Sequence, residues 1–228
     1  EHILSAIARM EKIALSTPAV LSRAQLLPAE RMLAAVDPGY TTNVSSVLDT
    51  SLTEKSLRFS GHSSDLPVGI LQGEALSDLY FDAPLVKEFR KKHKLKKLPG
   101  QKPLLTAILK AYKESKGKQK RPNIAIVEAR LPFQSGASEH TVLARYFASE
   151  GYNTQILSPE QLEYRGDVLR NGDFTIDIVI RRVRLQEFLI RYDLNHPLIR
   201  AYKDRAVCMI NNFRADFGSK RTMFDLLT

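Results

Sequence analysis

Apolar residues are spaced in two ways along the chain. Up to about residue 120 most recur at helical intervals, whereas from Pro122 onward they gather into short continuous blocks. Residues 1–36 interleave charges with apolar positions as helices do, and "PAERMLAAV" opens on Pro28. A proline is accepted in a first helical turn because the N–H it lacks would have no partner there. "SSVLDTSL" and "SLRFS" are predicted strands joined by a turn over Thr53–Lys55. Leu71, Ala75 and Leu79, then Leu85, Val86 and Phe89, predict two helices divided at Pro84. "PLLTAILKAY" repeats its apolar pair four residues on, Leu104 and Leu105 and then Ile108 and Leu109, which is a helix face. "ESKGKQKRP" has the composition of a linker.

Beyond it, "NIAIVEA" is a buried strand, "SEHTVLARYFASEG" an amphipathic helix ending at Gly151, and "YNTQILS" a second strand. That succession is a βαβ unit, with parallel strands and a right-handed crossover expected. "YRGDVLRNGDFTIDIVIRR" predicts a hairpin turning at Asn171-Gly172, a pair that tolerates positive φ. Helices near 185–192 and 197–204 and a buried strand "AVCMI" complete the block.

Composition narrows the picture. The chain has 228 residues, 43% hydrophobic and 26% charged, ordinary for a folded protein. No apolar run is long enough to span a bilayer, and charges interrupt residues 1–15, so a cytoplasmic protein without a membrane partner is expected. The single cysteine, Cys208, lies in an apolar strand where burial accounts for it. The net charge of +9 is local: residues 87–121 hold fourteen Lys or Arg against Glu88 and Glu114, a net of +12, and the rest sums to −3. Few aromatics accompany these cations, so a stacking platform for nucleic acid is missing and nucleic acid is not an expected partner. The segment is either a solvated helix end and loop or a patch for a polyanion or acidic partner.

Candidate chemistry is sparse. Residues 129–139 follow the first strand of the βαβ unit but supply one glycine, so the dinucleotide fingerprint is absent. Ser135 or Ser138 either caps the helix that follows or helps its N-terminus hold an anion. The five histidines are scattered and no metal-ligand spacing occurs. "FSGHSSDLPVG", residues 59–69, is polar and sits between a strand and a helix. Arg181 and Arg182 end an apolar strand, where an arginine can clamp a carboxylate or phosphate; alternation along the strand lets at most one face a site. "INNFRADFGSKRTMFDLLT" leaves a strand through a loop bearing Asn212, Arg214 and Lys220 and then opens a helix. That ending, with Glu1 at the start, leads us to expect a piece of a longer polypeptide.

The order of these features resembles the circularly permuted ATP-grasp proteins, the group that includes glutathionylspermidine synthetase-like ligases. The likeness runs from about residue 46 to 228 and is carried by "LTEKSLRF", "VGILQGEALSDLYFDAPLVKEF", "YFASEGYNTQILSPEQLEYRGDVL", "IDIVIRR" and "HPLIRAYKDRAVCMINNFRADFGSKRTMFDLL". It implies an α/β fold: a helical and short-strand part of an ATP-grasp-like unit over 1–120, a Rossmann-like pre-ATP-grasp domain over 121–210, and the opening of a nucleotide-binding half over 211–228. It also implies an ATP-dependent ligase joining a small-molecule carboxylate to an amine through an acyl phosphate. By the same resemblance Arg182 and Arg214 take catalytic positions, Asn212 and Lys220 bind the nucleotide, and Asp65 is a Mg²⁺ ligand. The family's acidic pattern E-x-N-x-E falls here on Gly61, Ser63 and Asp65, which implies an eroded metal site. Either another part of the full protein supplies the ligands, or this branch has lost catalysis and kept the fold for binding. The rival expectation is a non-catalytic binding or scaffold module that uses the basic 87–121 segment to hold a polyanion or an acidic partner. A sugar-nucleotide enzyme is a third expectation, opposed by the missing phosphate-binding glycines.

Overall fold

The computed structural model describes residues 2–41, 44–66, 69–129 and 138–227. Three helices come first, α1 (His2–Ser16), α2 (Pro18–Arg23) and α3 (Pro28–Ala35). The last starts on Pro28, and the Glu30 carboxylate reaches back to accept the Leu27 N–H at 2.8 Å. Strands β1 (Val47–Leu52) and β2 (Leu57–Ser63) form an antiparallel ribbon with an irregularity between Asp49 and Thr50. The turn hydrogen bond from Thr53 N to Ser56 O closes it where the sequence predicts. Helices α4 (Ile70–Asp82) and α5 (Pro84–Lys92) break at Pro84, and α6 (Gln101–Glu114) follows.

The second half alternates strand and helix: β3 (Ile124–Glu128), α7 (Glu139–Ser149), β4 (Thr154–Leu157), β5 (Glu163–Arg165), β6 (Val168–Asn171), β7 (Phe174–Thr175) and β8 (Ile178–Arg182). Then come α8 (Leu185–Arg191), α9 (Pro197–Lys203), β9 (Cys208–Ile210), α10 (Ala215–Gly218) and α11 (Thr222–Leu227). Strands β4, β3, β8 and β9, in that order, make a four-stranded parallel sheet, so the protein is of the α/β class.

The hairpin differs from expectation. The segment folds into a separate three-stranded meander, β5-β6-β7, with one turn at Gly166 and Asp167, both at positive φ, and another after Asn171 with Gly172 at positive φ. "IDIVI" leaves that meander and joins the parallel sheet instead. The glycine pair was legible, but a continuous apolar run is buried on both faces, which a two-stranded hairpin cannot provide.

Strand alternation divides the interior. Ile124, Ile126, Ile178, Ile180, Cys208 and Ile210 face α6 and α7, while Ala125, Val127, Val179 and Met209 face α8, α9 and the meander. Thus α6, grouped by sequence with the N-terminal part, covers the sheet. A third cluster joins Ile7, Ala14, Ala24 and Leu26 of the first helices to Phe217 and Met223 near the other end of the chain. Cys208 is buried, and burial pushes its thiol up to about 11, as an inert core residue requires. Among the described residues no helix is long and apolar enough to cross a membrane.

Phe147 of α7 is fully buried against the sheet, whereas Leu79 of α4 is 72% exposed. Urea unfolding of Phe147→Ala is expected to show a loss of about 3–5 kcal/mol, and Leu79→Ala a change within about 0.5 kcal/mol.

Candidate functional site

All four parallel strands point their carboxyl ends to one edge, and there the polar residues collect. Alternation sends Arg181 and Arg182 to opposite sides. Arg181 is 2% exposed. Its Nε donates to Asn211 O at 3.2 Å, one terminal nitrogen to Val183 O at 2.9 Å, and the other to Asn212 O at 3.3 Å and Asp216 Oδ2 at 2.6 Å. Arg182 turns toward α7, donating from Nε to His140 Nε2 at 2.7 Å and lying 3.8 Å from Glu139. His140 in turn meets the Glu128 carboxylate through Nδ1. Accepting from Arg182 requires the Nε2 lone pair, so the proton sits on Nδ1 and the ring is neutral. Burial and the Arg182 charge lower its pKa to about 4, in agreement. Ser138 caps α7 by accepting the Thr141 N–H, which answers one of the two readings of that serine; Ser135 lies outside the described residues.

The end of β2 is clamped onto this edge. Ser219 Oγ accepts the N–H groups of Ser64 and Asp65 at 2.9 and 3.0 Å and lies 3.0 Å from Asp65 Oδ1. Ser64 Oγ donates to Ala215 O, and His62 donates from Nδ1 to Gly218 O at 2.9 Å. Asn211 closes the joint, accepting from Val44 N and donating to the carbonyls of Ser45 and Ser64. Burial acts to raise the Asp65 pKa, but the Leu66 N–H, the Ser219 hydroxyl and the Arg181 charge outweigh it and hold the carboxyl below its usual range. The deeper Asp216 is raised by burial despite Arg181, with Asp65 adding to the effect.

Between this clamp and α11 lies a cleft of about 340 Å³, lined among others by Asp49, Asp65, Arg184, Lys220 and Arg221. Of the residues singled out by sequence, Asp65 and Lys220 meet there. Lys220 also pairs with the buried Glu30 at 3.0 Å. Arg182 borders a smaller, largely apolar cavity that shares Asp65. Asn212 and Arg214 face a separate cleft of about 850 Å³ beside α1. Arg214 donates to the carbonyls of Ala34 and Ala35, finishing the C-terminus of α3, and Asn212 accepts the Arg214 N–H. The five residues are therefore not brought into one site.

Three contributors escaped the sequence. Asp216 and Asn211 sit in a polar run where no spacing distinguishes them from their neighbours. Asp49 pairs across the ribbon with Gly61, and a Cβ on that glycine would collide with Asp49 Oδ2. Its carboxylate thus occupies the space that a side chain at position 61 would fill. Among the described residues no group of three or more His, Cys, Asp or Glu is placed to hold a metal ion. No known family model matches the chain, and no curated protein sequence matches it.

Two outcomes follow from this geometry. Arg181→Met strands the Asp216 carboxylate and three carbonyls, and chemical unfolding is expected to show a loss of about 3–5 kcal/mol; Asp216→Asn, which keeps an acceptor for Arg181, is expected to lose less. For His140, the unfolded ring takes up a proton near pH 6.5 while the folded ring stays neutral down to about 4. The unfolded state binds more protons across that window, so stability falls as pH drops from 6.5 toward 4. Urea midpoints measured against pH should show this fall in the wild type and a shallower one in His140→Gln.

Proposed function

We propose that the chain is part of an ATP-dependent ligase of the carboxylate-amine type, and that the cleft between β1, β2 and α11 takes the metal and phosphates of the nucleotide. The observation that carries this reading is the pairing, in one cleft at the carboxyl edge of a parallel sheet, of the Asp49 and Asp65 carboxylates with the cations Arg184, Lys220 and Arg221. The donor set suits Mg²⁺, which is commonly bound by one or two carboxylates with the remaining positions left to water and phosphate oxygens. Asp49 and Asp65 would hold it, and Mg²⁺ when bound would neutralise phosphate charge. Asp49 stands over Gly61, so on this reading the side chain missing from "GHSSD" is compensated from the facing strand.

The protein side of the chemistry is placement. Asp65 stays ionised because its pKa is held low, so a carboxylate is available to a cation at neutral pH. Arg184 and Arg221 are exposed along the cleft and can move to meet phosphate charge that grows as an acyl phosphate forms. Arg181 and Arg182 are committed to internal bonds, and their part is to fix the edge on which Asp65 rests.

Calorimetric titration of ATP with and without Mg²⁺ tests this. We expect Mg²⁺-dependent binding that Asp49→Asn and Asp65→Asn each weaken by about tenfold, roughly 1.4 kcal/mol. Gly61→Ala should leave the fold intact while weakening binding, since the new methyl group displaces the exposed Asp49 carboxylate. ATP binding indifferent to Mg²⁺ and to both aspartate variants would overturn the reading.

A further inference from the structure

Helices α4 and α5 carry an unusual surface. Leu76, Leu79 and Tyr80 stand at i, i+3 and i+4 on α4, and Leu85 and Phe89 stand four apart on α5. Their exposures run from 49% to 81%, and Leu98 in the following segment is 77% exposed. The opposite side of α4 is already used. Lys97 pairs with Asp78 and lies 5.4 Å from the Phe81 ring, and Gln101 N donates to Glu74. The apolar stripe is therefore the face of α4 left over after the chain has folded back on it.

The core of the basic segment begins on α5 and continues directly past it. Lys87, Lys91 and Lys97 are matched by Asp82, Glu88 and Asp78. Lys92, Lys94 and Lys96 are exposed and have no carboxylate partner among the described residues, whereas Arg90 lies over the Phe81 ring at 4.8 Å. An apolar patch rimmed by polar groups marks an interaction surface. We infer that this face docks an acidic amphipathic helix of a partner protein, its apolar side on Leu76, Leu79, Tyr80 and Phe89 and its carboxylates toward Lys92, Lys94 and Lys96.

Other occupants fit less well. A second copy related by a two-fold axis would set the three unmatched lysines of one chain against those of the other. An anionic bilayer, a continuous sheet of negative charge, would meet Asp78, Asp82 and Glu88 along with the cations, whereas a helix places its carboxylates at chosen points. A helix bearing both leucines and glutamates matches the apolar stripe and the cations together. The surface is distinct from the cleft of the proposed nucleotide site, which draws no lining residue from α4 or α5.

The probe is a fluorescein-labelled peptide of about 18 residues with leucine on one helical face and glutamate on the other, followed by anisotropy. We expect a Kd on the order of tens of micromolar, weakened about tenfold by 0.5 M salt and by scrambling the peptide. Two variants, Leu76→Ser/Leu79→Ser/Phe89→Ser and Lys92→Gln/Lys94→Gln/Lys96→Gln, alter exposed positions and should each keep the wild-type unfolding midpoint while binding at least about tenfold more weakly. The inference is overturned if the peptide stays unbound at about 1 mM protein, or if either variant binds it as the wild type does. It also fails if vesicles of phosphatidylcholine and phosphatidylserine take up the protein more tightly than the peptide does.

Discussion

The carboxyl edge of the sheet is organised by one guanidinium. Arg181 is withdrawn from water at the end of β8, and such a charge is tolerated only where its donors find acceptors. It uses Asp216 for its charge and the carbonyls of Val183, Asn211 and Asn212 for its remaining geometry. A lysine could not do this, because a single ammonium lacks the planar fork that reaches several strands and loops at once. By tying the exit of β9 and the first turn of α10 to β8, Arg181 sets the platform on which Ser219 receives the end of β2. The ribbon carrying Asp49 and Asp65 is thus positioned from a residue that does not line their cleft.

A second layer of polar contacts works from the other side of the strand. Glu139 accepts the N–H groups of Gly69 and Leu71, giving the start of α4 the partners a helix N-terminus lacks, and it also stands beside Arg182. With His140 between Arg182 and Glu128, a chain of alternating charge and dipole runs across β8, α7 and β3. These groups secure α4 to the sheet at one end only. Its far end, with α5, projects with much of its apolar surface uncovered.

What could be read from the amino acids follows from which interactions are local. Pro28 and Pro84 announce helix starts because proline constrains its own backbone, and the continuous runs in β3, β8 and β9 announce a parallel sheet because burial on both faces leaves no polar alternation. The meander was blurred because the turn chemistry at Gly172 is the same whether the next strand returns to it or departs. The surroundings of the candidate residues were least legible. Arg214 has the chemistry of a phosphate ligand, yet it completes the C-terminus of α3, and Lys220 reaches the cleft while pairing with Glu30; neither contact leaves a mark within a few residues. Asp49 became visible only through its cross-strand partner, since register is a property of two segments.

The cluster that joins Ile7, Ala14, Ala24 and Leu26 to Phe217 and Met223 also bears on how the molecule comes into being. During vectorial synthesis α1 and α2 emerge roughly 200 residues before Phe217 and Met223, and closing so long a loop carries an entropic barrier that local helices never face. The parallel sheet can assemble earlier, from segments nearer one another in sequence. The contact between α1, α2 and the segment around Phe217 is then a late one, made onto a sheet already in place.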